Sequence, residues 1–362
     1  MATALRSSTP RLLRHARRGM RTLTTTSTTT SLSTTTPAEA AAQQITHTHK
    51  DKTTTHRQTL DAPQLQKLSL TLNRPHLHPG LDVTTTAPPD GTPLPPGYHL
   101  VYFTPAVLES ELGPDGADRA FLGAPPPFSR RMWAGGEMRW TPGVPPLRVG
   151  EAVEERTRLV GATAKRSHRE GSGEMVLVEV EKEFWGPGGL ALVDRRSWVF
   201  RPPAPAPAGK TEEPAGASAS SGAASRRLKS SVEDVRAVGG RAGAPERRFR
   251  WSPAALFRFS ALTFNAHMIH YSESWAKGVE GHPRVVVHGP LNLILMMDYF
   301  RDVYGKEARE VSYRALSPLY AGDEYCIQTI YTADVEGGKK VWEIVVAKGT
   351  EICMKGTILA DG

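Results

Sequence analysis

From Leu291 to Phe300 the chain is apolar on almost every side of a helix, with Leu291, Ile294, Leu295, Met296, Tyr299 and Phe300 set around a single acid, Asp298. A helix without a polar face cannot lie on a surface, so something must enclose it. Gly289-Pro290 marks its start, because proline in the first turn gives up no hydrogen bond there. Alternating runs follow at Glu324–Ala333, Lys340–Ala347 and Thr350–Leu359, with Gly337-Gly338 placed as a hairpin turn between the first two. The predicted packing is a long antiparallel sheet curled around one buried helix, and the fold class is α+β.

The strand pattern occurs twice. Pro146-Leu147-Arg148-Val149-Gly150-Glu151 has its counterpart in Pro318-Leu319-Tyr320-Ala321-Gly322-Asp323, 172 residues later. Strand-like runs precede both turns, at Glu137–Trp140 and Glu310–Tyr313, and the first turn is followed by Glu154–Val160, Met175–Phe184 and Ala191–Phe200. This is the signature of a duplicated unit. The helix is not duplicated: Pro105–Leu112 and Pro125-Pro126-Pro127 fill the corresponding stretch, which predicts a shortened or lost helix. The expected division is a leader at 1–36, a Thr-rich and weakly helical extension at 37–84 with Leu65, Leu68 and Leu72 at helical spacing, a first repeat at 85–201, a disordered Pro/Ala/Gly/Ser linker at 202–245 and a second repeat at 246–362.

The formal charge of +8 would suggest a nucleic-acid partner if it lay on a folded face. It does not. Residues 1–38 carry six arginines and no acid, and residues 201–250 carry ten basic against five acidic residues. The repeats are near neutral, with 18 basic against 19 acidic residues in 39–200 and 11 against 13 in 251–362. The Arg-rich, hydroxyl-rich, acid-free leader reads as a mitochondrial import peptide, removed somewhere in 21–36. No run approaches the roughly 20 apolar residues of a membrane span. Cys326 and Cys353 are expected as small buried hydrophobes in a reducing compartment rather than a disulfide.

Chemistry concentrates just before the helix. Asn265-Ala266-His267-Met268-Ile269-His270-Tyr271 is followed by Val287-His288-Gly289-Pro290-Leu291. An amide, an imidazole five residues on and a helix start with free N–H donors are the parts needed to move a proton beside a thioester carbonyl. This constellation resembles the hot-dog-fold 3-hydroxyacyl-thioester dehydratases and (R)-specific hydratases (MaoC-like), and is most similar to their fungal and mitochondrial branch with two repeats. That family's motif reads Asp-x-Asn-Pro-Leu-His, with Val-His-Gly-Met-Leu downstream. Here Asn265 to His270 keeps the first spacing, and His288 follows His270 by eighteen residues. The likeness covers residues 95–200 loosely and 246–362 specifically.

The resemblance implies a double hot-dog, a monomer or a homodimer, that dehydrates (3R)-hydroxyacyl thioesters on acyl carrier protein in mitochondrial type II fatty acid synthesis, or on coenzyme A. It implies His270 as the catalytic histidine and Gly289 as the amide that polarises the thioester carbonyl. Asn265 stands where many relatives carry an aspartate; it cannot take a proton, so the acid/base load moves to His270. The first repeat, which lacks the Asn/His pair, is expected to form the acyl-chain cavity.

Other side chains have weaker claims. Tyr271, His288 and Arg284 are candidates for substrate contact. Arg258, Lys277 and Arg284 could form a basic rim for an acidic carrier protein. His267 is expected to hydrogen-bond structurally, because no Glu, Asp or Cys set accompanies it as metal ligands. Tyr98, His99 and Tyr102 are expected in a strand, and His282 in a loop. No metal, nucleotide or flavin is implied, no phosphate-binding glycine loop being present. Two alternatives stay open. One is a hydratase of a branched dicarboxylic acyl-CoA such as mesaconyl-CoA, which would want an arginine such as Arg258 or Arg284 in the pocket. The other is a non-catalytic hot-dog subunit that binds acyl thioesters.

Overall fold

The computed structural model describes residues 35–119, 123–166, 173–203, 228–235 and 245–362. The leader, up to residue 34, and most of the expected linker lie outside the described residues. Thr36–Gly362 forms one compact unit.

The first half runs α1 (Pro37–His49), β1 (Thr53–Thr59), α2 (Ala62–Thr71), β2 (His76–His78), β3 (Leu81–Asp82), β4 (Arg130–Trp140), β5 (Ala152–Arg166), β6 (Glu174–Gly186) and β7 (Gly189–Arg201). The second runs β8 (Ser231–Val235), β9 (Glu246–Arg250), α3 (Pro253–Leu262), α4 (Glu273–Gly278), α5 (Gly289–Tyr304), β10 (Glu310–Ala315), β11 (Glu324–Val335), β12 (Lys339–Lys348) and β13 (Glu351–Asp361).

All but β2 and β3 belong to one antiparallel sheet in the order β1-β5-β6-β7-β4-β10-β13-β12-β11-β9-β8. The order is palindromic about the β4–β10 pair: β7 answers β13, β6 answers β12, β5 answers β11 and β1 answers β9. The sheets of the two repeats thus join edge to edge through β4 and β10 into one continuous sheet. Each half would otherwise end in a row of unpaired N–H and C=O groups, and the β4–β10 register, Met138 opposite Val311 and Gly136 opposite Tyr313, satisfies both rows.

The same palindrome extends towards the N-terminus. β1 and α2 hold the places of β9 and α3, so elements that answer the second repeat begin at Thr53, ahead of the expected limit at residue 85. β1 is an edge strand with five of its seven side chains exposed, which is why it lacks the alternation of a half-buried strand. Leu65 and Leu68 of α2 are fully buried. The linker also contributes structure, since β8 pairs with β9 at the far edge.

Every residue of α5 from Leu291 to Phe300 is buried, in one core with Val311, Ile327, Trp342, Ile344 and Ile358 of the surrounding strands. The acid within that stretch, Asp298, accepts from the Tyr98 hydroxyl at 2.9 Å and from Arg301 at 3.0 Å. In the first repeat, among the described residues, only short 3-10 turns, Tyr98–Val101 and Glu109–Glu111, stand between β3 and β4. Tyr98 and His99 thus sit in a turn, not a strand; His99 Nε2 lies 3.0 Å from Asp194 and the Tyr102 hydroxyl donates to the Asp61 carbonyl at 2.6 Å. Both cysteines are free thiols, pushed up to about 11 by burial.

Candidate active site

α3 delivers the polar residues. Ser252 caps it, its hydroxyl accepting from the Ala255 N–H at 3.2 Å, with Pro253 in the first turn. The helix ends in a Schellman turn: the Phe264 N–H donates to Ala261 O and the Asn265 N–H to Ser260 O, at 3.2 and 2.9 Å. α2 ends in the same way, through Asn73 and Arg74. The motif puts one residue in the left-handed region; asparagine tolerates this at Asn73 (φ 58°), whereas Phe264 (φ 48°) is strained there. Asn265 follows directly, its carbonyl oxygen accepting from the His267 N–H at 3.1 Å.

A 3-10 turn over Met268–His270 then seats the imidazole. His270 Nδ1 lies 2.8 Å from the Val286 carbonyl. A carbonyl only accepts, so Nδ1 carries the proton and Nε2 keeps its lone pair. The His288 ring stacks on His270 with centroids 3.7 Å apart and planes 16° from parallel. His288 is steered in turn by Ser260, whose Oγ lies 2.9 Å from its Nε2. Burial, then the neighbouring His267, depresses the His270 pKa to about 3, against the carbonyl hydrogen bond. His270 is therefore a neutral base at physiological pH.

α5 begins beside these rings. His288 occupies its N-cap position but gives no side-chain cap. The first-turn N–H groups of Gly289 and Leu291 thus lack that partner at the positive end of a sixteen-residue helix. Gly289 sits in close quarters: a Cβ there would stand 3.1 Å from Cδ1 of Trp133, reaching over from β4.

Asn265, His267, His270, Tyr271, His288 and Gly289 all line one cavity of about 990 Å³. Tyr271 is half exposed at its edge, its hydroxyl donating to Ala266 O at 3.1 Å. His267 stands edge-on to His270 at 5.7 Å, with Asp115 3.8 Å from its Nε2. Arg284 is the exception among the expected site residues. It donates to Ala321 O at 2.7 Å and pairs with the buried carboxylate of Asp323, which Lys348 also holds at 2.9 Å. It braces a turn and does not line the cavity, because a buried carboxylate claims whichever cations are near. Arg258 is exposed on α3, and Lys277 pairs with Glu273 at 2.6 Å.

One wall of the cavity carries residues that no sequence motif announces. Arg131, Trp133, Lys182, Arg196 and Trp198 of the first repeat face the cavity. Arg131 and Trp133, two apart on one strand, point the same way; a basic-aromatic alternation opening a strand was the available signal.

The sequence model for hydroxyacyl-thioester dehydratase type 2 matches residues 97–321. The chain is 33% identical over 242 residues to Mesaconyl-C(4)-CoA hydratase of Chloroflexus aurantiacus, spanning 66% of this chain and 76% of that protein. It is 43% identical over 75 residues to the mitochondrial Hydroxyacyl-thioester dehydratase type 2 of Schizosaccharomyces pombe, spanning 20% of this chain and 25% of that one. Among solved structures it resembles a MaoC-like dehydratase from Phytophthora capsici, with a TM-score of 0.55 at 13% identity, over 88% of this chain and 98% of that one. The fold is accordingly a double hot-dog.

Proposed function

The chain belongs to the hydroxyacyl-thioester dehydratase type 2 family and is a hydro-lyase, and from that premise we propose that it interconverts (3R)-hydroxyacyl and trans-2-enoyl thioesters with His270 as the single acid/base. Nε2 of neutral His270 takes the proton from C2, and the charge gathering on the thioester oxygen faces the Gly289 N–H at the start of α5. As the C2–C3 double bond forms, the C3–O bond breaks. The departing hydroxyl takes the proton back from the imidazolium and leaves as water. Asn265 holds the hydroxyl in line through its side-chain amide. A site that disfavours the imidazolium returns the proton readily but weakens the base, so the first step leans on the amide that stabilises the charge on the thioester oxygen.

The observation that carries this reading is the His270–Val286 hydrogen bond, which leaves Nε2 bare in the cavity that also receives the uncapped start of α5. The Arg-rich leader and the S. pombe relative support a mitochondrial setting, with acyl carrier protein as carrier in type II fatty acid synthesis. A second reading, hydration of a dicarboxylic acyl-CoA, is favoured by Arg131 in the cavity and by the name of the Chloroflexus relative.

Hydration of crotonyl and longer trans-2-enoyl thioesters, on both carriers and with product stereochemistry resolved, tests the proposal. The (3R) product is expected, with His270→Ala lowering kcat roughly 10²–10⁴-fold. Equal turnover by wild type and His270→Ala would falsify the assignment, and a folded wild type inert toward every thioester would leave only a binding subunit.

A further inference from the structure

The cavity wall supplied by the first repeat carries three cations, and their states differ. Lys182 Nζ lies 2.8 Å from Glu155 Oε1. Arg196 is held by Asp194 at 2.8 and 2.6 Å. Arg131 makes neither an ion pair within 4.0 Å nor a side-chain hydrogen bond among the described residues, although Asp115, Asp118 and Arg119 all act on its charge at longer range. Of the acids on the cavity, Glu109 and Asp118, neither closes on it. Packed protein around the guanidinium disfavours its charge, so a cation kept here without a partner awaits one from the ligand.

Its position says which part of the ligand that is. Arg131 and Trp133 are same-face neighbours on β4, about 7 Å apart along the strand. The Trp133 ring is the group that a Cβ on Gly289 would strike. Arg131 thus starts one side-chain repeat along β4 from the residue packed against the amide assigned to the thioester oxygen. That separation matches the far end of a short acyl group. The phosphate of a carrier lies a whole pantetheine arm from the thioester and would meet a cation nearer the rim.

We propose that Arg131 is a specificity residue that receives a carboxylate on the far end of a short acyl group, so that the cavity prefers dicarboxylic over simple acyl thioesters. This deepens the dicarboxylic reading of the hydro-lyase, as against the fatty-acid one, and rests on the placement of the thioester at Gly289. The planar guanidinium suits a carboxylate, which it can grip with two parallel hydrogen bonds.

The test uses binding, so that it stands apart from turnover. Succinyl-CoA and butyryl-CoA have the same carbon count, differ at the terminal group and cannot be dehydrated. Calorimetry on the wild type should show succinyl-CoA binding about 10–100-fold more tightly. Arg131→Met should abolish the difference by weakening succinyl-CoA alone, and Arg131→Lys should restore part of it, with melting temperatures checked for all three proteins. Equal affinities in the wild type overturn the proposal. So does an Arg131→Met variant that loses both ligands alike, the result expected if the arginine meets the carrier phosphate. Crotonyl-CoA hydration measured in parallel reports on the hydro-lyase reading: no turnover with the succinyl preference intact sinks that reading and leaves this one standing.

Discussion

His270, His288 and His267 are buried side by side, and burial is the largest cause lowering each pKa. The sign of the effect on stability follows from proton uptake. The ordinary value of 6.5 holds in the unfolded chain, and His270 in the folded chain lies at about 3. Between those values the unfolded chain binds protons that the folded chain refuses, so stability is complete above about pH 6.5 and falls on acidification through that window. Melting temperatures measured from about pH 7.5 down to 5 should decline, and less steeply in His288→Phe, which keeps a stacked ring but removes one titrating group. A flat profile would contradict the burial of neutral imidazoles. For Asn265, whose oxygen accepts the His267 N–H, aspartate keeps that bond while leucine loses it. Asn265→Asp should therefore stay within about tenfold of wild-type kcat/KM and Asn265→Leu fall well below it, as steady-state kinetics would register.

Two element ends hold the site, and each makes a prediction. The Schellman turn closing α3 strains Phe264, so Phe264→Gly should stabilise the fold by roughly 1 kcal/mol in denaturant titration. The same change removes an exposed ring from the cavity lining, and KM for longer acyl chains should rise. At the start of α5 the wall is already tight. Gly289→Ala should cost about 1–3 kcal/mol of stability through its contact with Trp133. The smaller ring of Trp133→Phe should recover part of that loss in a double-mutant cycle, whereas purely additive effects would mean that the two sites do not touch.

At the scale of the whole molecule, the shared sheet makes the halves interdependent. A chain beginning at residue 36 should melt like the full-length protein, while one beginning at 85 loses β1 and the buried leucines of α2 and should fail to give a cooperative transition by circular dichroism. The buried helix, its Gly-Pro start, the four strands after it, their earlier copies and the Asn265-to-His270 spacing were all legible in the chain, because each is written in neighbouring residues through periodicity and turn chemistry. The strand at Thr53–Thr59 was not, since an exposed edge strand has no buried face to impose alternation. Nor was the fate of the arginines: nothing local distinguishes Arg284, captured by Asp323, from Arg131, left facing the cavity. Local sequence thus determined which groups could do chemistry, through hydrogen-bond patterns that close within a few residues. Only the tertiary structure decided which charges are satisfied and which are kept for a ligand, because partners drawn from strands and turns far apart in the chain meet only when the sheet closes.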